Sequence, residues 1–517
     1  MSLSSAVTIE PYCEEDGQIG FYAVLSDGTK RDYNSDEWMR LGESEKKSLE
    51  RLGNRSMLWK IPSRPDIGKY AGKWDDKIRN GIDEGKLEEI YREYIIDALK
   101  DISTRIERFF RRFCHFEDER LYCIMASFVI QTYFKDQFEK SPVLLFDGVS
   151  GSGKSTALTA LKHLCYRGFF SSNYSTASLV DEVAENGVTL LLDESLRNLS
   201  SDRGADLNTF LINGFDREGA IYNRKDMNLN SSVVKNHYTC VAVTTLGGEI
   251  PVDLRNRSMM VTMALPDESV ELEDIAYLDD AEFERDIHPE SIRADLYALK
   301  ILTDSDGITG LKTGGISFES FRHETKRRME RKDDNGRYLY GHIHNIRYTP
   351  KITGRDKAIA YVHYTIGQAT MDEDEILEYI LENRDNIFNH KTSTMESVLV
   401  KAFADLILER WRESYPVLTS TDNWIAEKEL LIIANKISMP DIHQRYRYLR
   451  GLEGWDQREM EPARRLTLTF GKLRIPYEER GGRTNYMNVS DSNFIVNFKK
   501  AVRQYLDPET ADYFKRI

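Results

Sequence analysis

The eight residues Gly148-Val149-Ser150-Gly151-Ser152-Gly153-Lys154-Ser155 constrain this chain more than any other stretch. They fit the spacing GxxxxGK[ST]. They follow the apolar run Val143–Phe146 and precede a helical pattern from Thr156. The glycines let the main chain turn through dihedrals that side chains disfavour. Successive N–H groups, Thr156 at the start of the helix included, then face an anion. Lys154 is placed to reach the β- and γ-phosphates of ATP, and Ser155 to ligate Mg²⁺. A strand–loop–helix of this kind needs a parallel sheet around it, and short continuous apolar runs supply one. They are Gly168–Ser171, Val188–Leu192, Thr239–Val243 and Met259–Met263, with helical stretches such as Ser178–Glu185 between them. That alternation predicts an α/β core over residues 141–266.

Four further features belong to the same chemistry. Val188-Thr-Leu-Leu-Leu-Asp193-Glu194 is an apolar strand ending in two acids. Asp193 is the candidate metal carboxylate, acting through a water, and Glu194 the candidate that polarises the attacking water. Thr244 and Thr245 end the next strand, where a hydroxyl would meet the γ-phosphate or that water; Thr245 is the catalytic candidate. Pro251–Arg257 carries Arg255 and Arg257. Arg257 is the favoured candidate for an arginine that crosses to a neighbouring subunit's γ-phosphate, the alternative being a surface ion pair. A hairpin is predicted from Ala220–Lys225 and Ser232–Asn236. Its Arg224, Lys225 and Lys235 would touch nucleic-acid phosphates, or would decorate an ordinary surface hairpin.

Around this core, residues 1–60 read as a small β-containing module with a β-run at Ile19–Leu25 and a turn at Asp27-Gly28. Residues 61–140 read as a helical N-terminal region. Within it 61–85 look like a connector, and a helical stripe starts at Leu87. A second stripe, Tyr122, Met125, Ala126, Val129 and Tyr133, predicts a helix over Glu119–Phe134. Residues 267–370 read as a helical lid and basic linker, opening on the acidic run DESVELEDIAYLDDAEFERD and including HETKRRMERK at 323–332. Residues 371–517 form a C-terminal helical unit. His342 and His344 make an HxH in a polar loop without a third ligand nearby in sequence, which reads as surface histidine.

With 517 residues, about three domains are expected. Net charge is −14, which argues against a protein coated in nucleic acid but leaves room for a local basic channel. The five cysteines are scattered without a CxxC pair, which fits a reducing cytoplasm and no cysteine zinc site. No apolar run reaches the ~18–20 residues of a membrane span.

The ordered set LYCIMASFVIQTYFKDQFEKSPVLLFDGVSGSGKST, TASLVDEVAENGVTLLLDE, FLINGFDREGAIYNRKD and CVAVTTLGGEIPVDLRNRSMMVTM resembles AAA+ ATPases of the hexameric helicase type. It is most similar to helicase-like ATPases of phages, plasmids and other mobile elements, relatives of the superfamily-three and MCM-like motors. The resemblance spans roughly Leu121 to Leu265. It implies a homo-oligomeric ring, commonly a hexamer, with ATP and Mg²⁺ between subunits and DNA as partner. It maps the trans-acting arginine onto Arg257 and makes the Arg224–Lys225 hairpin a DNA contact. It also implies a lid arginine that senses nucleotide, for which Arg355 is the candidate. Such proteins often carry a leading primase domain. Only about 120 residues precede the core here, with no primase metal motif.

The C-terminal unit resembles a winged helix-turn-helix. Ala426–Ala434 and Glu461–Leu473 read as helices, the second with Ala463, Leu466, Phe470 and Leu473 inward. IPYEERGGRTNYMNV then makes two β-runs around Gly481-Gly482. On that resemblance Arg464, Arg465 and Lys472 would face DNA from the recognition helix, and Arg480 or Arg483 from the wing. The alternative is a small packing domain with exposed arginines. The leading expectation is an ATP-driven DNA motor of replication. An ATP-switched initiator or loader, and a non-DNA ATPase in protein remodelling or phage defence, are the alternatives.

Overall fold

The computed structural model describes residues 6–34, 59–193, 202–330, 354–381, 395–414, 425–452 and 466–514, and the single residues 43 and 46. Within those ranges it leaves out 17, 82–83, 173, 227–230, 246–249, 266–269, 281–285, 468–469, 471–472, 474, 481–483, 507–509 and 511–512. The chain divides into two compact units, Met1–Leu381 and Glu382–Ile517.

The first unit is built on a five-stranded, wholly parallel sheet. Its strands are β4 (Val143–Gly148), β5 (Gly168–Ser171), β6 (Thr189–Leu192), β9 (Val241–Thr244) and β10 (Ser258–Met263). Their spatial order is β10-β4-β9-β6-β5. All four residues of β6 and of β9 are buried, as continuous Val/Leu/Ala runs require when both sheet faces are covered. Between the strands lie α4 (Lys154–Leu164), α5 (Thr176–Asn186) and α6 (Asp202–Gly214). Helix α5 starts on a serine capping box: Ser178 N donates to Ser175 Oγ at 3.1 Å and Ser175 N to Ser178 Oγ at 3.2 Å. It ends on Gly187 at φ +63, the left-handed conformation that closes a helix at low cost. The antiparallel ribbon β7 (Ile221–Asp226) and β8 (Ser231–Asn236) precedes β9.

The helical layer is larger than the sequence suggests. The stretch read as a connector holds α1 (Ile67–Asn80), whose start is capped by Asp66 accepting from Lys69 N at 3.0 Å. Its Tyr70 and Trp74 are buried, and Trp74 meets Tyr91 edge-on at 5.0 Å between centroids. The connector reading rested on glycine and charge, but two aromatic side chains at i and i+4 suffice to anchor the helix. Helix α2 (Leu87–Phe113) buries the expected stripe from Tyr91 to Phe113, while Leu87 at its start is exposed. Helix α3 (Arg120–Phe134) departs from its stripe: every residue from Leu121 to Phe134 is buried, polar Ser127, Gln131 and Thr132 included. It is surrounded by α2, α8 (Pro289–Thr309) and α10 (Gly354–Thr370), so no face is left for solvent. Each large side chain it buries contributes about 1.5–3 kcal/mol. Helix α9 (Glu319–Glu330) packs on α10. Residues 373–381 are helical and also join this core, with Tyr379 Oη donating to Met260 O at 2.6 Å. The division between units thus falls after Leu381, eleven residues beyond the expected boundary at 370/371.

The N-terminal residues form an antiparallel meander, β1 (Ala6–Cys13), β2 (Ile19–Leu25) and β3 (Lys30–Tyr33), with Gly28 at φ +79 in the turn. The meander is tied to the parallel-sheet core rather than standing apart. Glu10 is 1% exposed; it accepts from Tyr166 Oη at 2.7 Å and pairs with Arg167 at 3.0 Å.

The second unit has its own core of α11 (Met395–Ser414), α12 (Glu427–Ala434), α13 (Met439–Leu452), the hairpin β11 (Tyr477–Arg480) and β12 (Thr484–Met487), and α14 (Phe494–Tyr505). Leu466 and Phe470 point inward as expected, Phe470 against Phe403 at 6.0 Å. Ser438 forms an isolated antiparallel bridge with Tyr486 of β12.

Candidate functional site

The loop after β4 has the shape its glycines were expected to allow. Gly151 and Gly153 stand at φ +83 and +86, and α4 begins at Lys154. Gly148 meets a different demand. A Cβ there would lie 2.2 Å from the carbonyl oxygen of Met263 on neighbouring β10, so only glycine permits that approach. Asp147 Oδ1 accepts from Gly148 N at 3.0 Å and fixes the turn out of the strand. Lys154 is 6% exposed, and its Nζ donates to the carbonyls of Gly148 and Val149 at 2.6 and 2.7 Å. The lysine therefore lies folded within the loop's own curve. Val149 and Ser150 are at the loop's outer rim, and Thr156 is in the first turn of α4. The buried Ser152 hydroxyl has no hydrogen-bond partner among the described residues.

Three elements converge beside the loop. Asp193 follows β6, and its Oδ1 receives Ser155 Oγ at 3.2 Å and Thr244 Oγ1 at 2.7 Å. Thr244 ends β9, which the sheet order inserts between β4 and β6. The sequence favoured Thr245. Here Thr245 is 1% exposed with its N–H on Phe146 O at 3.0 Å, and it is the Thr244 hydroxyl that reaches Asp193. The two adjacent threonines thus sit in different settings at the strand end, Thr244 on the acidic residue and Thr245 paired through its backbone to β4. A magnesium ion fits this donor set. Mg²⁺ binds through one or two protein oxygens plus substrate phosphates, and a hydroxyl already shares a carboxylate oxygen with the acidic strand end. Among the described residues no cluster of three or more His, Cys, Asp or Glu side chains forms a separate metal site. Glu194 lies outside the described residues.

The arginines differ in setting. Arg257 follows the short helix α7 (Val252–Arg255); its Nη1 donates to Asp253 O at 2.8 Å and lies 3.7 Å from the Asp253 carboxylate. Arg255 is partly buried, and its Nε has no hydrogen-bond partner among the described residues. Burial lowers its pKa, and the charge of Asp147 opposes that. Arg355 lies in the first turn of α10, with its side chain outside what the structure describes.

On the ribbon, register places Arg224 opposite Val233 and Lys225 opposite Ser232, so the two basic residues alternate faces. Their side chains are not among those described. Lys235 is: its Nζ pairs with Asp181 at 2.8 Å and Glu185 at 3.2 Å on α5. Ile221 and Val234 share the Lys225 face and are exposed. In the second unit, Arg464, Arg465, Lys472 and Arg483 lie outside the described residues, as do His342 and His344. Arg480 ends β11. No described helix is long and apolar enough to cross a membrane.

Comparison with known proteins gives little. No protein-family model matches the chain, and no curated protein matches it. Solved structures do match. One, described as "SCCmec type IV Cch - active helicase", aligns over 96% of this chain and 95% of its own with 12% identity and a TM-score of 0.29. At that score the likeness carries no argument about this protein.

Proposed function

We propose that this protein is a P-loop ATPase of the AAA+ type that couples ATP hydrolysis to movement on DNA. The observation that carries the reading is the insertion of β9 between the phosphate-loop strand β4 and the acidic strand β6. It brings Ser155, Asp193 and Thr244 to one point beside the loop. Lys154 holds the β- and γ-phosphates once it leaves the loop carbonyls, and the N–H groups of residues 151–156 face the anion. Ser155 and Asp193 hold Mg²⁺, which supplies charge neutralisation across the transferring phosphoryl group. Thr244 orients Asp193. Glu194 positions the attacking water, and Arg257 serves a neighbouring copy's site in a ring. Arg355 contacts nucleotide in cis.

The DNA part of the reading draws on the ribbon β7–β8 and on the second unit. There a helix pair, a core-facing Leu466 and Phe470, and a hairpin joined by one isolated bridge follow the order expected of a winged helix. Arg464, Arg465, Lys472 and Arg483 are its DNA-facing residues, with Arg224 and Lys225 on the ribbon. Lys235 is a weaker candidate, since two carboxylates already engage it. The net charge of −14 favours a second reading, in which the same ATPase acts on a protein. Measuring ATPase rate with and without single-stranded DNA, together with unwinding of a forked duplex, separates the two. Stimulation and unwinding are expected. Hydrolysis that ignores DNA, with no binding at low salt, would remove the motor reading and leave the ATPase standing.

A further inference from the structure

The first unit also holds a cavity of about 500 Å³ away from the phosphate loop. Strand β1, the end of α3 with the turn after it, the residues entering β5 and β6, and α8 line it. The sheet is parallel and the phosphate loop leaves β4 at its C-terminal end. Arg167 and Gly187 enter β5 and β6 at their N-terminal ends, so the cavity lies at the opposite end of the sheet.

Its walls gather cations where cations are costly to place. Arg167 is held at φ +46, unusual for a side-chain-bearing residue. Its guanidinium donates to Asn186 O at 2.7 Å, Ile9 O at 2.8 Å and Glu10 Oε2 at 3.0 Å, while its buried Nε has no partner among the described residues. Lys300 is 8% exposed, 3.1 Å from Asp304 Oδ2 and 5.2 Å from the centre of the Tyr166 ring. Lys135 Nζ reaches Tyr238 O at 3.4 Å, and burial pushes its pKa down. Both Glu10 oxygens are engaged, by Tyr166 and Arg167. The Asp136 carboxylate stands exposed at the rim. Tying β1 to the core accounts for Glu10 and Arg167. It does not account for Lys135 and Lys300, which line the same space.

We propose that this cavity binds a small phosphate-bearing molecule, with the phosphate held among Lys135, Arg167 and Lys300. An oxyanion there would give the Lys135 ammonium a counter-charge. The volume lies in the range of small-ligand pockets and leaves room for a body beyond the phosphate. The site stands independently of what the phosphate loop does.

The test titrates the full chain carrying Lys154→Ala, which removes the loop's lysine, with inorganic phosphate by calorimetry. Saturable binding is expected. Adding Lys135→Gln should weaken it at least tenfold, whereas Lys135→Arg, which keeps the charge, should hold it within about threefold. Unfolding temperatures in phosphate-free buffer should agree among the three proteins, because the Lys135 Nζ contact with Tyr238 O is long at 3.4 Å. No saturable binding, binding unchanged by Lys135→Gln, or equal loss in both variants would overturn the proposal. Displacement of bound phosphate by a short single-stranded oligonucleotide would also overturn it, since the phosphate would then belong to a nucleic-acid backbone.

Discussion

Replacing Thr244 by valine isolates the contact that organises the candidate metal site. Thr244 is 1% exposed and its hydroxyl lies 2.7 Å from Asp193 Oδ1, the oxygen that Ser155 also meets at 3.2 Å. Valine keeps the shape and removes the donor. A hydrogen bond to a charged acceptor contributes about 1.5–3 kcal/mol. At about 1.4 kcal/mol per factor of ten, losing the orientation of Asp193 should raise the half-saturating Mg²⁺ concentration for hydrolysis about ten- to hundredfold. Thr244→Ser should stay close to wild type, because it retains the hydroxyl. The assay is steady-state ATP hydrolysis against free Mg²⁺ at saturating ATP, with urea unfolding as a control for the fold. An unchanged Mg²⁺ dependence in Thr244→Val, or equal loss in Thr244→Ser, would refute the assignment of Thr244 to the positioning of Asp193.

Three other perturbations follow from the geometry. Gly148→Ala places a Cβ 2.2 Å from Met263 O and should weaken binding of a fluorescent ATP analogue at least tenfold; near-normal affinity would mean that β10 yields. Glu10→Gln leaves the Arg167 guanidinium buried without its counter-charge and should cost about 3–5 kcal/mol in urea unfolding, with a loss below about 1 kcal/mol counting against a buried pair that fastens β1. Burial, with Asp372 nearby, pushes Glu107 up to about 7. The folded state then binds more protons than the unfolded chain between about pH 4.5 and 7, so stability falls as pH rises through that window. Glu107→Gln should flatten that slope, and an unaltered slope would place the titration elsewhere.

The phosphate loop was legible because its glycines serve local conformation, and Gly151 and Gly153 do sit at positive φ. The strands were legible as short apolar runs, and each lies within about two residues of its expected bounds. What sequence could not show depends on contacts distant along the chain. Gly148 reads as a loop glycine, yet it answers to Met263, more than a hundred residues on. Glu10 meets Arg167 across 157 residues, so the N-terminal meander could be recognised as β structure without any sign of what it fastens to. The stripe on α3 was real but incomplete, because a helix enclosed on all sides buries its serine, glutamine and threonine as well. Residues 372–381 carry a helical pattern that suits either unit, and only the packing of Ile376, Leu377 and Tyr379 assigns them to the first.

The account stands or falls on whether the Gly148–Ser155 loop holds Mg²⁺·ATP for hydrolysis. Single-turnover hydrolysis of radiolabelled ATP by wild type, Lys154→Ala and Glu194→Gln tests this most directly. Wild type should release phosphate, Lys154→Ala should neither retain nucleotide nor turn it over, and Glu194→Gln should retain ATP unhydrolysed. A wild-type chain that binds no ATP in Mg²⁺, or a Lys154→Ala chain that hydrolyses it at the wild-type rate, would contradict the account.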